Sequence, residues 1–305
     1  MPAENQIVDA PEEPLSRSAP LARELASACC APECAAYHGL WQYLRLAGMG
    51  KTMSGLSRHY IDATRQCAAQ WDAAVTSAPR RVLISGCADY SALAHVLHAC
   101  ADQRYQPHVT ALDLCETPLL MSRWYARRHG AEIDTVQANM LEFRDTDGFD
   151  LILTSSFLGY FSPAQRPRLF VNYADNLRPG GMMIFANRLR EQVEDTRVSF
   201  SAQQASVFAD RVAQLAERLP AHARPEAKEL HAMALDYARF MTSWPVNNAD
   251  SLRALADAAG LEWLQGQVIR PPALQRQLSG PTVGDGAEYI FVRLRKPRVI
   301  TDFSS

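Results

Sequence analysis

Asp113, Gly86 and the hydroxyl-rich string Ser155-Ser156 follow apolar runs, where side chains and backbone could meet a ligand. Asp113 ends Val109-Thr110-Ala111-Leu112. A carboxylate there can accept both hydroxyls of a ribose; its alternative role is to cap a helix. Gly86 follows Arg81-Val82-Leu83-Ile84-Ser85 and leads into Cys87-Ala88-Asp89-Tyr90. Glycine lets backbone approach a ligand closely, although strand-to-helix turns often need one without any ligand. Thr154-Ser155-Ser156-Phe157-Leu158-Gly159-Tyr160 follows a third apolar run, Phe149-Asp150-Leu151-Ile152-Leu153. In open α/β sheets the ends of such runs face ligands. Asn139 carries a donor and an acceptor, which suits the edge of a purine and equally an ordinary turn.

These residues need a sheet to position them. Val82–Ser85, Val109–Leu114, Ile133–Gln137, Phe149–Thr154 and Met182–Ala186 read as strands, separated by helices over Ser91–Ala101, Pro118–His129 and Pro163–Leu177. The nearly all-apolar fourth run suits a strand covered on both faces. Alternation of this kind predicts an α/β fold with a doubly wound, mostly parallel sheet. Residues 188–247 read as an inserted pair of helices without a strand. A helix over Ser251–Ala259 and strands over Trp263–Ile269 and Glu288–Leu294 complete the pattern. The long loop between those two strands is expected to be mobile or to line a site.

Ahead of the sheet, residues 21–78 read as a helical cap broken near Gly39 and around Gly48-Met49-Gly50, and residues 1–20 as a disordered leader. The remaining divisions are 79–187, the insertion 188–247, and 248–298. A net charge of -2 and a pI near 6.5 offer no footprint for nucleic acid. Arg127-Arg128-His129 reads as a solvated helix end. No apolar run approaches the roughly 20 residues that span a bilayer, and no secretory signal is visible. Seven scattered cysteines give no disulfide framework, so a cytoplasmic chain with reduced thiols is expected. Cys29, Cys30 and Cys34 lie close together but meet no downstream partner cluster at zinc spacing, so they read as small buried residues of an Ala-rich helix and no metal is expected.

Over about Arg81 to Lys296 the chain resembles the class I S-adenosylmethionine-dependent methyltransferases, with a seven-stranded Rossmann-like sheet. The resemblance rests on Gly86-Cys87-Ala88 after the first strand and Asp113 after the second. It rests too on Gln137-Ala138-Asn139-Met140-Leu141-Glu142-Phe143, and on Leu177-Arg178-Pro179-Gly180-Gly181 before the fifth strand. The family pattern would place an acid at Ile84, glycines at Ala88 and Tyr90, and an acid at Asn139. Alanine at 88 still permits close approach, while Tyr90 implies a wider or differently covered turn. The Asn/Asp-Pro-Pro-aromatic string of enzymes that methylate nucleobase amines is missing after the fourth strand.

The resemblance implies S-adenosylmethionine as cofactor, held by Gly86, Cys87, Ala88, Asp113, Leu114, Asn139, Met140, Ser155 and Ser156. Tyr60, from the cap, would close over the sulfonium by a cation–π contact; its alternative is a packed core tyrosine. His59 beside it is a weak candidate base. The default reaction is methyl transfer to a small molecule by in-line displacement, in secondary-metabolite biosynthesis. A second reading is cyclisation of the cofactor to azetidine-2-carboxylate and methylthioadenosine, with Asn139, Ser155 and Tyr160 around the methionine tail as the catalytic contacts. A third is a cofactor-binding regulatory protein without chemistry. The expected partner is a small molecule or the cofactor itself, with no nucleic acid and no membrane; a homodimer is left open.

Overall fold

A computed structural model describes residues 13–48, 52–72, 79–101, 106–190, 196–270 and 288–298. Three helices come first: α1 (Leu15–Cys29), α2 (Pro32–Leu46) and α3 (Thr52–Asp72). Then follow β1 (Arg81–Ser85), α4 (Ser91–Cys100), β2 (His108–Asp113), α5 (Glu116–Arg128), β3 (Ile133–Gln137) and β4 (Phe149–Ser155). Next come α6 (Arg166–Asn176) and β5 (Leu177–Leu189). The insertion holds β6 (Val198–Ser199), α7 (Ala202–Gln214), α8 (Ala227–Phe240) and β7 (Thr242–Ser243); α9 (Ala249–Ala258), β8 (Glu262–Ile269) and β9 (Glu288–Arg295) close the chain.

The main sheet has seven strands in the order β3-β2-β1-β4-β5-β9-β8. All pairings from β3 to β5 are parallel, and β9 runs antiparallel to both β5 and β8. The expected α/β, mostly parallel seven-stranded Rossmann-like sheet is therefore present. Val82, Leu151 and Ile184 belong to a core with side chains of α3, α4 and α5, while Leu83, Ile152 and Met183 join one with α6 and α9. Burial on both faces is why these strands read as unbroken apolar runs. The end of the sheet opposite the site is tied by Asp150, which accepts from Arg80 (2.9 Å), Arg178 (2.7 Å) and the Arg81 N–H (2.9 Å).

Several sequence expectations are corrected. The stretch expected as leader reaches into α1, which starts at Leu15 and buries Ser16, Ser18 and Ala19; residues 1–12 lie outside the described residues. Helix α2 runs straight through Gly39, which packs against Ala26 of α1 with room for a side chain, a hypothetical Cβ standing 3.9 Å from the Ala26 Cβ. The break falls instead at Cys30-Ala31, with Pro32 opening α2. Met49 and Gly50, where the second break was expected, are outside the described residues, as is the loop 271–287. The fifth strand begins at Leu177, five residues early, with a register shift against β4 between Phe149 and Leu151. The insertion does contain strand: β6 and β7 pair with each other as a two-residue ribbon, too short to show a period of two.

Cap and insertion share one core. Leu40, Tyr43 and Leu44 of α2 pack with Phe208 and Val212 of α7 and Leu230 and Tyr237 of α8. The insertion thus sits on the cap, above the ends of β1, β4 and β5. Among the described residues no helix is long and apolar enough to cross a membrane.

Candidate functional site

The turn after β1 is shaped by its neighbours. Gly86 has φ +71°, and its N–H donates to the Leu112 carbonyl of β2 at 2.9 Å. A Cβ built on it would lie 2.3 Å from the Phe157 ring, which comes from the segment after β4. Left-handed backbone and a ring pressed on the Cα together demand glycine. Asp113 then fixes the turn from β2: its carboxylate accepts from the Cys87 N–H and the Cys115 N–H, each at 2.8 Å. Burial raises its pKa to about 6, against the opposing pull of these backbone donors. A carboxylate offers roughly four lone-pair directions, so with Leu114 also donating, one direction remains for a ligand hydroxyl.

The next stretch of the same edge carries Leu114 and Asn139. The Ala138 N–H donates to the Asp113 carbonyl at 3.0 Å, bringing the two segments side by side. Leu114 is 69% exposed, an apolar surface open to a flat ligand. The Asn139 side-chain oxygen accepts from the Leu141 N–H at 3.0 Å, so that oxygen forms a local turn, as the alternative reading of this asparagine had it. The Met140 side chain is buried and its carbonyl accepts from Asn172, leaving only its backbone to meet a ligand.

A cavity of about 160 Å³ opens beside this edge, over the ends of β1, β4 and β5. Gly86, Cys87, Ala88, Ser155, Ser156 and Tyr160 all line it. Six of the residues singled out from sequence are therefore brought together there, while Asp113, Leu114, Asn139 and Met140 occupy the adjoining edge. Burial pushes the Cys87 thiol well above its ordinary pKa, so it is a neutral wall. Ser156 adopts φ +51°, an uncommon conformation for a side-chain-bearing residue, held by its N–H donating to the Ala186 carbonyl at 2.8 Å. Tyr160 is 54% exposed, and its hydroxyl pairs with that of Tyr37 from α2.

Other walls were not anticipated from sequence. Tyr37 and Trp41 of α2 stack at 5.8 Å, and Tyr37 stacks on Tyr237 of α8 at 5.9 Å. Asn187, Arg188 and Arg190, at and just beyond the end of β5, also line the cavity. The Asn187 side-chain NH2 donates to the Arg188 carbonyl at 2.9 Å, while its oxygen is buried with no hydrogen-bond partner. Burial lowers the pKa of both arginines, that of Arg190 to about 10 with the charge of Arg188 adding to the effect. The apolar periodicity of the fifth strand gives no sign of these three residues, since their role comes from the insertion folding over them.

Tyr60 does not reach the cavity. It is 2% exposed, and its hydroxyl donates to the Thr154 carbonyl and accepts from the Ala186 N–H, both at 2.7 Å. These groups belong to neighbouring strands β4 and β5, so the hydroxyl stands in for a ladder bond where the strands part. The expected sulfonium contact is corrected to a core tyrosine, wedged against His95 and Phe291. His59 lies against Phe291, at 5.4 Å between rings.

Tyr90 explains how the turn manages without its second and third glycines. It turns inward, fully buried, stacks on Tyr125 at 4.5 Å and shares a hydrogen bond of 3.1 Å with Ser18. Helix α2 clamps the turn from above. Arg45 donates to the Asp89 carboxylate at 2.7 Å and also pairs with Glu13. His38 Nδ1 meets the Ala88 carbonyl at 3.3 Å. Burial alone would raise the Asp89 pKa, but the Arg45 charge and the Ser91 donors outweigh it and hold it below the ordinary range. Arg45 and Asp89 lie too far apart in sequence for any local pattern to pair them.

The cysteines also differ from expectation. Cys29 is exposed and Cys30 and Cys34 are half-buried, so they are not simply filler within a helix. Cys115, distant in sequence, brings its sulfur to 2.9 Å from that of Cys30. Cys30, His38 and Cys115 place one donor atom each within 4.8 Å of one another, and the Cys34 thiol lies outside that trio, beside the Cys115 thiol.

Comparison with known proteins finds a likeness over this edge. Residues 82–181 match a family model described as a methyltransferase domain, spanning β1 to the start of β5. No curated protein matches the chain. Among solved structures, the chain is similar to the N-methyltransferase NodS from Bradyrhizobium japonicum WM9 in complex with S-adenosyl-L-homocysteine. The identity is 13% over 79% of this chain and 87% of that one, with a TM-score of 0.46. A S-adenosylmethionine-dependent methyltransferase from Methanosarcina mazei has 12% identity over 73% and 95% of the two chains, with a TM-score of 0.47. The [4+2]-cyclase SpnF has 15% identity over 78% and 81%, also at 0.47. The family match lies on the strands that carry Gly86 and Asp113, so residues 82–181, about a third of the chain, are similar to a methyltransferase domain.

Proposed function

We propose that this protein transfers the methyl group of S-adenosylmethionine to a small molecule bound in the cavity over β4 and β5, as a step in secondary-metabolite biosynthesis. The observation that carries the reading is the Asn187 oxygen, a buried acceptor without a partner on the cavity wall. Such a group is costly unless a ligand supplies a donor.

The residues present fit the cofactor. The turn at Gly86 lines the cavity with backbone, and Asp113 keeps a lone-pair direction beyond its backbone donors. In this reading Asp113 accepts a ribose hydroxyl, while Leu114 and the Asn139-Met140 segment hold the adenine. The backbone of Gly86, Cys87 and Ala88, with Ser155 and Ser156, holds the methionine portion. Bound S-adenosylmethionine supplies a methyl group already activated by its sulfonium, so a dedicated base is optional.

The chain's own residues then place the acceptor and exclude water. Asn187 accepts a hydrogen bond from the N–H or O–H of the acceptor, aiming its lone pair. Arg188 and Arg190 favour an acceptor with an anionic group, because a bound anion relieves the repulsion between two half-buried cations. Tyr37, Trp41, Tyr160 and Tyr237 wall the site off.

The test is mass spectrometry of cofactor turnover with a panel of small amines and hydroxy compounds, with and without a carboxylate. S-adenosylhomocysteine and a methylated product are expected. Asn187→Ala should raise the acceptor KM roughly tenfold, the worth of one hydrogen bond, with cofactor affinity unchanged. Methylthioadenosine and a four-membered-ring amino acid from cofactor alone would replace methyl transfer with cyclisation.

A further inference from the structure

The cluster where the cap meets the sheet has no part in the function proposed above, and its donor set has a chemistry of its own. Cys30 lies at the C-terminal end of α1. Cys34 and His38 are four residues apart on α2, and so share one face of it. Cys115 precedes α5, two residues after Asp113. The donor atoms of Cys30, His38 and Cys115 lie within 4.8 Å of one another, and the Cys34 thiol lies outside that trio, beside the Cys115 thiol. The three-residue gap between Cys30 and Cys34 falls within the spacing of structural zinc sites, and three sulfurs with one imidazole is a zinc set.

We propose that Cys30, Cys34, His38 and Cys115 bind one zinc ion that fastens the N-terminal helices to the cofactor-facing edge of the sheet.

The surroundings of the cluster support this. His38 Nδ1 faces the Ala88 carbonyl at 3.3 Å; with the proton on Nδ1, Nε2 keeps its lone pair for a metal. A backbone carbonyl bonded to the second nitrogen is the usual support of a metal-binding histidine. The Thr117 hydroxyl lies 3.0 Å from the Cys30 sulfur, placed to donate to a thiolate. At a Zn–S distance of about 2.3 Å two tetrahedral thiolates stand about 3.8 Å apart, so Cys30 and Cys115 need to separate from 2.9 Å by less than one ångström. The reaction balances simply: three S–H bonds break, three protons pass to solvent, and three Zn–S bonds and one Zn–N bond form, with no redox change. Cys29 is exposed and outside the set.

The ion would connect three pieces of the cofactor edge: α2, the Ala88 turn through His38, and the residue after Leu114. Its existence does not depend on the proposed reaction, and the test reads metal first. The full chain, purified under reducing conditions, is loaded with zinc, dialysed and assayed for metal by mass spectrometry, and in parallel loaded with cobalt. One zinc per chain and the visible spectrum of tetrahedral thiolate-bound cobalt are expected. Cys34→Ser and Cys115→Ser should each lose most of the metal, while Cys29→Ser keeps it; circular dichroism establishes which variants fold. Should both serine variants fail to fold, His38→Gln is the second variant, expected to weaken zinc retention against a chelator at least tenfold. A folded wild-type chain that takes up no zinc overturns the proposal. So does metal that survives all three ligand substitutions, or a Cys30–Cys115 disulfide in the freshly isolated chain without zinc.

Discussion

Tyr60→Phe separates two roles of a residue that sequence alone left open. The substitution keeps the ring against His95 and Phe291 and removes only the hydroxyl between β4 and β5. Two buried backbone groups, the Thr154 carbonyl and the Ala186 N–H, then lose their partner. Each orphaned group costs about 1–3 kcal/mol. The strands can partly close on one another and recover some of this, so a net loss of about 2–4 kcal/mol is expected. For a chain of this size that is a fall in Tm of roughly 4–8 °C. Urea unfolding and a thermal scan read stability, and titration with S-adenosylhomocysteine reads the site. Cofactor affinity should change only slightly, because Tyr60 is off the cavity. An unchanged unfolding midpoint for Tyr60→Phe, with a large affinity loss for Tyr60→Leu, would refute the core role and restore the ring as a cofactor contact.

Gly86→Ala should destabilise the chain by at least about 1–2 kcal/mol from the left-handed backbone alone, and by more because the new Cβ meets Phe157. Unfolding of Gly86→Ala with and without Phe157→Ala separates strain from clash, and no rescue by the second change would count against the contact. Arg45→Met leaves Asp89 buried beside Gln42 and Ser91 without its main cation, and should cost about 3–5 kcal/mol. Adding Asp89→Asn should recover much of that in a double-mutant cycle, and additivity would deny the coupling. His95 is buried and its pKa is lowered to about 4 by burial, with Arg45 adding. The unfolded chain takes up this proton near pH 6.5, so folding stability falls as pH drops from about 6.5 to about 4. The full window is worth about 3 kcal/mol. Equilibrium unfolding of His95→Phe across that range should show a correspondingly shallower acid loss; parallel curves would contradict the assignment.

What could be read from sequence follows from how local each signal is. Each sheet strand carries its own apolar run, so the main-sheet strands and the alternation with helices were legible. Gly86 and Asp113 were legible because each sits at the end of such a run. The five-residue extension of β5 was not, since Pro179-Gly180-Gly181 carries turn chemistry while pairing continues through a register shift. Gly39 looked like a break because glycine is a poor helix former, while the packing that holds α2 together comes from α1 and from the insertion, outside its own sequence. Tyr60 could be placed on a helix but not aimed, since its partners come from β4 and β5. The largest omissions have the same origin. Arg45 with Asp89, Phe157 over Gly86, and Cys115 beside Cys30 are meetings of distant segments, and no spacing rule connects them.

Methyl transfer at this site requires that the edge formed by Gly86 and Asp113 bind S-adenosylmethionine. Isothermal titration of the full chain with S-adenosylhomocysteine, beside Asp113→Asn checked for native circular dichroism, tests it most directly. One site per chain is expected in the wild type. Loss of one hydrogen bond to a charged acceptor, about 1.5 kcal/mol or more, should weaken Asp113→Asn roughly tenfold. No heat of binding from the folded wild type, or equal affinity in the two proteins, would contradict it.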